Sequence, residues 1–439
     1  MNAVVIGVLT MLALSVARMN VVLSVFVGAI VAGVVGGLGM ADTMEAFTHG
    51  LGGGAEIALS YVLLGAFAAA LAHSGIPGWL AAGVASRLDT GSKHSAGKGK
   101  FALLAGILLM AIASQNIIPV HIAFIPILIP PLLITFSRMQ LDRRAVACVL
   151  VFGLCATYLI VPFGFGNIYL NQILHGNLAV NGVLIDHSLL PLAMAIPVSG
   201  MLVGMLWAVF VSYRKPRQYQ ALETKVINTP KKSVSYKVRW VVVAAVSMAL
   251  MIQVVTGSIL QGAVAGFLMM VATNVVPWRK ADSVFSEGMK MMAFAGFVMM
   301  AASGFGEVLR QTGAVPQLIS SASDLFGDHK AIAALIMLVT GLLITMGIGS
   351  SFSSIPIIAT IFVPLAIHMG FSPMATAALV GTAGALGDAG SPASEAAIGP
   401  TIGLNTDGQH DHIRDTVMPT FLHYNIPMIL FGWVAAMIL

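Results

Sequence analysis

Long apolar runs separated by short polar stretches make up most of the chain. A membrane-spanning helix needs roughly 20 mostly apolar residues, and runs of about that length recur from one end of the sequence to the other. They predict ten spans, near residues 2–17, 20–38, 56–80, 145–172, 188–213, 238–256, 258–277, 289–309, 374–403 and 417–439. The pattern therefore indicates an all-α polytopic membrane protein.

Two further apolar stretches, 101–137 and 331–369, are too long for one crossing and too short for two. Each is interrupted near its middle by polar and helix-breaking residues, at 114–119 and at 347–356. We therefore expect each stretch to form a re-entrant hairpin, which enters the membrane and leaves by the same face.

The basic residues orient these elements. With both stretches as hairpins, all of the 22 Lys and Arg residues except Arg310 and Lys330 fall on one side. Positive charge is enriched on the cytoplasmic side of membrane proteins, so the first hairpin opens to the cytoplasm and the second opens outward. Both termini are expected outside. The net charge of +5 then reflects orientation and does not indicate a nucleic-acid partner.

The same order of elements occurs twice. Residues 1–213 and 238–439 each hold five spans and one hairpin, with one span broken by glycine, and a polar cytoplasmic linker, 214–237, joins them. Because five crossings is an odd number, the two repeats must be inverted relative to one another. Inverted repeats with broken helices are typical of secondary transporters.

Composition excludes several other classes of protein. Apolar residues make up 58% and charged residues 9%, whereas a soluble domain carries roughly 25% charged residues. A soluble enzyme, a nucleic-acid binder, a coiled coil and a disordered protein are therefore excluded. The chain has no Walker loop, HExxH or GxSxG motif, so we expect neither ATP drive, nor enzymatic activity, nor an organic cofactor.

Four helix breaks, at 114–119, 162–167, 347–356 and 387–392, are rich in Gly, Ser, Asn and Pro. Unwound backbone survives at membrane depth only where it is buried in protein or lines a cavity, and hydroxyl and amide oxygens suit hard cations. Each break taken alone is equally compatible with a packing kink. Their matched positions in the two halves favour cation sites.

Asp388 is the residue with the clearest predicted role. An ionisable side chain at membrane depth is costly and usually functional, and this carboxylate can hold Na+ when ionised or a proton when neutral. The alternative is that Asp388 caps a helix. Glu395 follows seven residues later, and it either faces the same pathway or lies in solvent near the cytoplasmic end.

Other titratable residues have weaker signals. His121, in the first hairpin, is either a buried neutral histidine or a substrate contact. Glu56 and Glu307 are expected at the surface. His410 and His412 stand in a short His-Asp-His run, which is weak evidence for a metal, so we expect no transition-metal site.

Several runs resemble a known family: 52–56, 114–131, 142–148, 347–353, 387–394 and 410–413. They resemble the ion transporter superfamily and, within it, the bacterial Na+/H+ antiporter family related to NhaC. The resemblance implies cation-coupled transport across a bacterial inner membrane, with cation sites at the hairpin tips and broken helices, and a homodimer. Some relatives are assigned to amino-acid uptake, including that of histidine.

The predicted function is therefore Na+/H+ antiport by alternating access, with Na+ and H+ as coupling ions and Asp388 as the proton-coupling group. The alternative is Na+- or H+-coupled transport of an amino acid such as histidine. Possible contacts on the substrate pathway are His121 and Glu395. The predicted cation ligands are Ser114, Asn116, Gly164, Gly166 and Asn167 in the first half, and Ser350, Ser351, Ser353, Asp388 and Ser391 in the second.

Overall fold

The computed structural model describes residues 2–17, 19–79, 96–116, 121–220, 234–317, 329–392 and 394–439. Helices account for the regular structure of these residues, and none of them forms a strand. The first half contains α1 (Ala3–Val16), α2 (Val21–Val35), α3 (Met40–His73), α4 (Ala96–Asn116), α5 (His121–Arg138), α6 (Arg143–Tyr158), α7 (165–180) and α8 (His187–Ser212). The second half contains α9 (Tyr236–Thr256), α10 (Ile259–Ala272), α11 (Trp278–Gln311), α12 (Lys330–Ile348), α13 (Ser351–His368), α14 (Pro373–Leu386), α15 (Glu395–Leu404) and α16 (His412–Ile438). The predicted all-helical fold is confirmed.

Six helices among the described residues are long and apolar enough to cross a membrane. They are Met40–His73, Gly99–Asn116, His187–Ser212, Tyr236–Thr256, Ser351–His368 and His412–Ile438. Four shorter apolar helices accompany them, at Val21–Val35, Ile259–Ala272, Lys330–Met346 and Pro373–Leu386. The chain is thus a multi-pass membrane protein.

Short polar residues start several of these helices. The Asp142 side chain accepts a hydrogen bond from the Arg144 amide and begins α6. Ser372 and Ser394 do the same for α14 and α15. Such caps satisfy amide groups that have no partner inside the helix, which matters most where water is scarce.

The two longest helices, α3 and α11, have 34 residues each. At 1.5 Å per residue each is about 51 Å long, which exceeds the roughly 30 Å of hydrocarbon in a bilayer. The helices that contain the spans predicted at 56–80 and 289–309 thus begin before those spans, at Met40 and Trp278. Small residues let the two helices touch closely: a Cβ added to Gly54 would lie 2.8 Å from the Cα of Met300.

Helix contacts are matched between the two halves. In the first half α1 packs on α2 and α4 on α6, and in the second α9 packs on α10 and α12 on α14. Across the halves, α3 packs on α11 and α8 on α16. The repeat of residues 1–213 in 238–439 stays a prediction. The inversion of the halves, the re-entrant course of the hairpins and the linker boundaries remain predictions.

Two predicted spans are each split into two helices. The span at 145–172 becomes α6 and α7, which runs on to residue 180, and the span at 374–403 becomes α14 and α15. The second predicted hairpin likewise forms the pair α12–α13, which is interrupted at 349–350. In the first predicted hairpin α4 ends at Asn116 and α5 begins at His121, and residues 117–120 lie outside the described residues.

Candidate functional site

The interruptions of the helices meet in the interior of the protein. A cavity there is lined by residues of both halves, including Gln115 at the end of α4, Phe165 at the start of α7 and Ser350 before α13. Asp388 and Glu395, on either side of the unwound segment between α14 and α15, line the same cavity. All four predicted breaks thus contribute a residue to one cavity.

In the first half, the end of α4 touches the start of α7 at Gly164 and Asn116. Gly164 has φ +58° and ψ −129°, a backbone conformation that is essentially restricted to glycine. A Cβ at Gly164 would overlap the backbone carbonyl of Asn116. The lack of a side chain therefore allows these two predicted ligands to lie together.

Buried polar atoms next to this contact have no partner. Among the described residues, neither side-chain atom of the Asn116 amide forms a hydrogen bond, and neither does Gln115 Oε1. Leaving such atoms unpaired costs about 1–3 kcal/mol each, and the amide oxygens among them are of a type that binds hard cations. Asn116 and Gly164 also line a second cavity, together with Gln253 of α9.

The other predicted ligands of the first half have protein partners. Ser114 Oγ donates a hydrogen bond to the carbonyl of Ala111 at 2.8 Å. Asn167 Oδ1 accepts one from the Asn171 side chain at 2.6 Å. Gly166 lies against the carbonyl of Val161, so its lack of a side chain is explained by the local turn.

In the second half, Asp388 is the centre of a buried hydrogen-bond network. Its Oδ2 accepts hydrogen bonds from Tyr158 Oη at 2.6 Å and from Ser351 Oγ at 3.1 Å. Its Oδ1 accepts one from Ser394 Oγ at 2.7 Å. Tyr158 Oη and Ser351 Oγ are themselves 2.8 Å apart. Because Tyr158 belongs to α6, this network joins the two halves of the chain.

The remaining predicted ligands surround this network. Ser350 lines the cavity, while the Ser353 hydroxyl is buried and has no partner among the described residues. Ser391 Oγ donates to the carbonyl of Met346 at 3.1 Å and so ties the unwound segment to the end of α12. A Cβ at Gly387 would overlap the backbone of Thr345, so this segment also depends on a close approach.

Comparison with known proteins identifies the family of this chain. Residues 149–433 match the Na+/H+ antiporter family, and residues 2–88 match a second Na+-H+ antiporter family. The chain belongs to the Na+/H+ antiporter family. The resemblance seen in the sequence is thereby confirmed, and the protein is a transporter.

Relatives match the chain over its whole length. The chain is 54% identical to uncharacterized membrane protein VP2115 of Vibrio parahaemolyticus serotype O3:K6 (strain RIMD 2210633), and the match spans 100% of both chains. It is 48% identical to the putative amino acid transporter YuiF of Bacillus subtilis (strain 168), again over 100% of both chains.

Two solved transporter structures share the fold. The YdaH transporter of Alcanivorax borkumensis aligns with a TM-score of 0.58 at 15% identity, over 90% of this chain and 87% of that one. MtrF of Neisseria gonorrhoeae aligns with a TM-score of 0.60 at 13% identity, over 91% and 85%. At this level of identity the likeness shows the fold alone.

Glu395 lines the same cavity as Asp388 but has a different environment. Its side chain is exposed and lines the cavity. No hydrogen bond or ion pair to it occurs in the described part of the chain, whereas Asp388 has three hydroxyl donors. The part of Glu395 in a substrate pathway remains a prediction.

The weaker candidates lie away from the cavity. Glu56 is exposed, and Glu307 forms an ion pair with Arg310, so the expected surface placement fits both. The side chain of His121 lies outside the described residues. Among those described, no cluster of three or more His, Cys, Asp or Glu residues could hold a metal ion.

A polar cluster forms where α6 begins, on the predicted cytoplasmic side. The Arg143 guanidinium is fully buried and binds both carboxylate oxygens of Asp407 at 2.6 Å. Although burial opposes ionisation, this pairing lowers the pKa of Asp407. Burial lowers the pKa of His410 to about 4, since its ring is almost fully shielded from water.

His412 connects this cluster to the unwound segment between α14 and α15. Its Nε2 is 2.9 Å from the carbonyl of Pro392, and its Nδ1 is 2.8 Å from Thr401 Oγ1. The His-Asp-His run therefore has a structural role at the edge of the site.

Sequence reasoning missed Tyr158, Ser394 and Gln115 as members of the site. Gln115 lies inside the predicted break at 114–119, and Ser394 lies just beyond the break at 387–392, so position in or near a break is a signal that could have found them. Tyr158 precedes the break at 162–167 inside an apolar run, where a tyrosine is expected in the core. Its role is shown only by the hydrogen bond from its hydroxyl to Asp388.

Proposed function

We propose that this transporter exchanges Na+ for H+ across a bacterial inner membrane by alternating access. The observation that carries the proposal is the Asp388 network, in which one buried carboxylate meets three hydroxyl groups from both halves of the chain. Membership of the Na+/H+ antiporter family supports the same reaction. Both termini are proposed to lie on the external side.

The chemistry of the network suits either ion. A carboxylate and hydroxyl oxygens are ligands that Na+ accepts, and each hydroxyl can rotate to present a lone pair instead of its proton. When Asp388 holds a proton instead, the hydroxyl oxygens can accept a hydrogen bond from it. Binding of one ion therefore opposes binding of the other, which is the requirement for exchange.

The first-half site is proposed to complete the cation pathway. Asn116 supplies an unpaired side-chain carbonyl oxygen beside Gly164, and Ser114 and Asn167 lie near the same break. Ser350, Ser351, Ser353 and Ser391 are the neutral oxygen donors around Asp388. Because Asp388 is the charged member of the set, we assign cation–proton competition to it.

Everted membrane vesicles containing the full chain test the exchange. Addition of NaCl to acidified vesicles should drive protons out, as seen by recovery of a pH-sensitive dye. Asp388→Asn should abolish this response while the protein still inserts, because the ion-binding charge is gone. Asp282→Asn, which changes an exposed carboxylate on α11, is the matched control and should respond as the wild type does.

A second candidate function is amino-acid transport. It is favoured by two features of the same cavity, the start of α13 and Glu395. Helix α13 begins at Ser351 without a side-chain cap, so its first amides can bind an anion such as a carboxylate. Glu395 supplies an unpaired carboxylate suited to an ammonium group. The relative in Bacillus subtilis named as a putative amino acid transporter supports this candidate.

The same vesicles discriminate between the candidates when a panel of amino acids, including histidine, is added. Proton movement driven by Na+ without any organic solute supports exchange. Proton or Na+ movement seen only in the presence of an amino acid overturns exchange in favour of amino-acid transport. Loss of that movement in Glu395→Gln would then assign the ammonium contact.

A further inference from the structure

An arginine between two aromatic rings stands at the start of α9, far along the chain from the ion site. The guanidinium carbon of Arg239 lies 5.0 Å from the centre of the Trp79 ring and 5.8 Å from the centre of the Tyr236 ring. The Tyr236 ring contacts Trp240 at 5.9 Å between centres, edge to face. Contact with aromatic faces holds a guanidinium by cation–π attraction and leaves its N–H edge free.

Arg239 has no anionic partner in the described part of the chain. Its Nε is buried and forms no hydrogen bond, and no carboxylate there pairs with it. The cluster Arg143, Arg144 and Arg217 behaves differently, since each of those arginines pairs with an aspartate. Within the described residues, Arg239 is therefore held in place and has no neutralising partner.

The surroundings are basic and rich in exposed aromatic rings. Lys237 is exposed, and so are Trp79, Tyr236 and Trp240, at 39%, 67% and 57% of their surface. Helix α10 packs on α9, and the short turn 273–277 returns the chain to the same face as the start of α9. There α11 begins with Trp278, Arg279 and Lys280, all exposed. Asp282 is the nearest acidic residue along α11.

Indole and phenol rings at a membrane surface lie at the depth of the lipid headgroups. Basic residues on the predicted cytoplasmic side face anionic lipid there. A soluble anion would leave the exposed Trp240 and Trp278 rings uncovered, whereas a lipid covers both charge and ring. Guanidinium groups bind phosphate oxygens through two N–H groups at once.

We propose that Arg239, held between Trp79 and Tyr236, binds the phosphate of an anionic phospholipid headgroup at the cytoplasmic surface. This binding site is separate from the ion site and does not depend on the proposed exchange. The lipid would bridge α9 to residue 79, beyond the end of α3.

Titration of the purified full chain with phosphatidylglycerol, followed by native mass spectrometry, tests the proposal. The wild type should bind phosphatidylglycerol in preference to phosphatidylcholine. Arg239→Gln should weaken phosphatidylglycerol binding about fivefold, because it removes the charge that contacts the lipid phosphate. Trp79→Leu, which keeps the charge and removes one ring, should also weaken it.

Arg214→Gln is the matched control, because Arg214 is an exposed basic residue on the same predicted face without an aromatic pair. Its phosphatidylglycerol affinity should stay within about twofold of the wild type. Equal losses in Arg239→Gln and Arg214→Gln would overturn the proposal, as would equal binding of the two lipids. Full displacement of the lipid by inorganic phosphate would instead identify a small-anion site and overturn the assignment to lipid.

Discussion

Replacement of Gly164 by alanine tests the contact between α7 and the end of α4. The backbone at Gly164, with φ +58° and ψ −129°, is one that alanine rarely adopts, and such strain costs on the order of 1–3 kcal/mol. The new Cβ would also overlap the carbonyl of Asn116. We expect the end of α4 to move away from α7 and the cation ligands to separate.

The size of the effect follows from this strain. If the protein relieves it by separating the two segments, cation binding must restore the contact against the same 1–3 kcal/mol, which corresponds to roughly a 5- to 150-fold weaker interaction. The assay is the NaCl concentration that gives half-maximal dye recovery in everted vesicles. This concentration should rise by that factor in Gly164→Ala.

Gly176→Ala is the matched control in the same helix. A Cβ at Gly176 meets no atom within 4 Å, and alanine is favoured over glycine inside a helix. Its half-saturating NaCl concentration should equal that of the wild type. A folded Gly164→Ala protein with unchanged half-saturation would refute the proposed contact between Asn116 and Gly164 as a cation site.

Three further substitutions test other parts of the structure through thermal unfolding in detergent. Arg143→Gln should lower the free energy of unfolding by about 3–5 kcal/mol, because it leaves Asp407 buried without its arginine partner. Arg144 is half-exposed, so Arg144→Gln should lower it by at most about 1 kcal/mol. Similar losses in the two variants would contradict the buried ion pair. The pKa of His410 is lowered to about 4, so its ring stays neutral in the folded protein and is protonated more readily after unfolding. The free energy of unfolding should therefore fall by about 3 kcal/mol as the pH drops from about 6.5 to 4. His410→Gln should lack this part of the pH dependence. Tyr158→Phe should cost about 1–3 kcal/mol and reduce Na+-driven proton movement, and an unchanged protein would show that its hydroxyl does not support the site.

Much of the architecture could be predicted from the sequence because lipid imposes a simple rule. Apolar length marks each helix, and the four breaks stand out as polar residues inside apolar runs. The rule fails where a helix continues through small residues, as in α3, which passes through Gly52, Gly53 and Gly54 without interruption. Gly54 allows close packing on α11, whereas a Cβ at Gly52 would meet no atom within 4 Å. Composition alone does not distinguish such glycines from a helix end.

The candidate site could be predicted only in part. Asp388 and the serines around it can be recognised in the sequence as polar residues inside apolar runs. Tyr158 does not, because its ring belongs to the core and only its hydroxyl reaches Asp388. The roles of Gly164 and Gly166 also differ, since one allows contact between distant segments and the other serves a local turn. These roles depend on which residues lie close together in the folded protein, and the sequence alone does not give that.

The central claim is that a small cation and a proton compete at the Asp388 carboxylate. Binding of radioactive sodium to the purified full chain, measured at several pH values, tests it most directly. The wild type should bind sodium saturably and lose it as the pH falls, and Asp388→Asn should bind none at any pH. Equal sodium binding by both proteins, or wild-type binding that does not change with pH, would contradict the account.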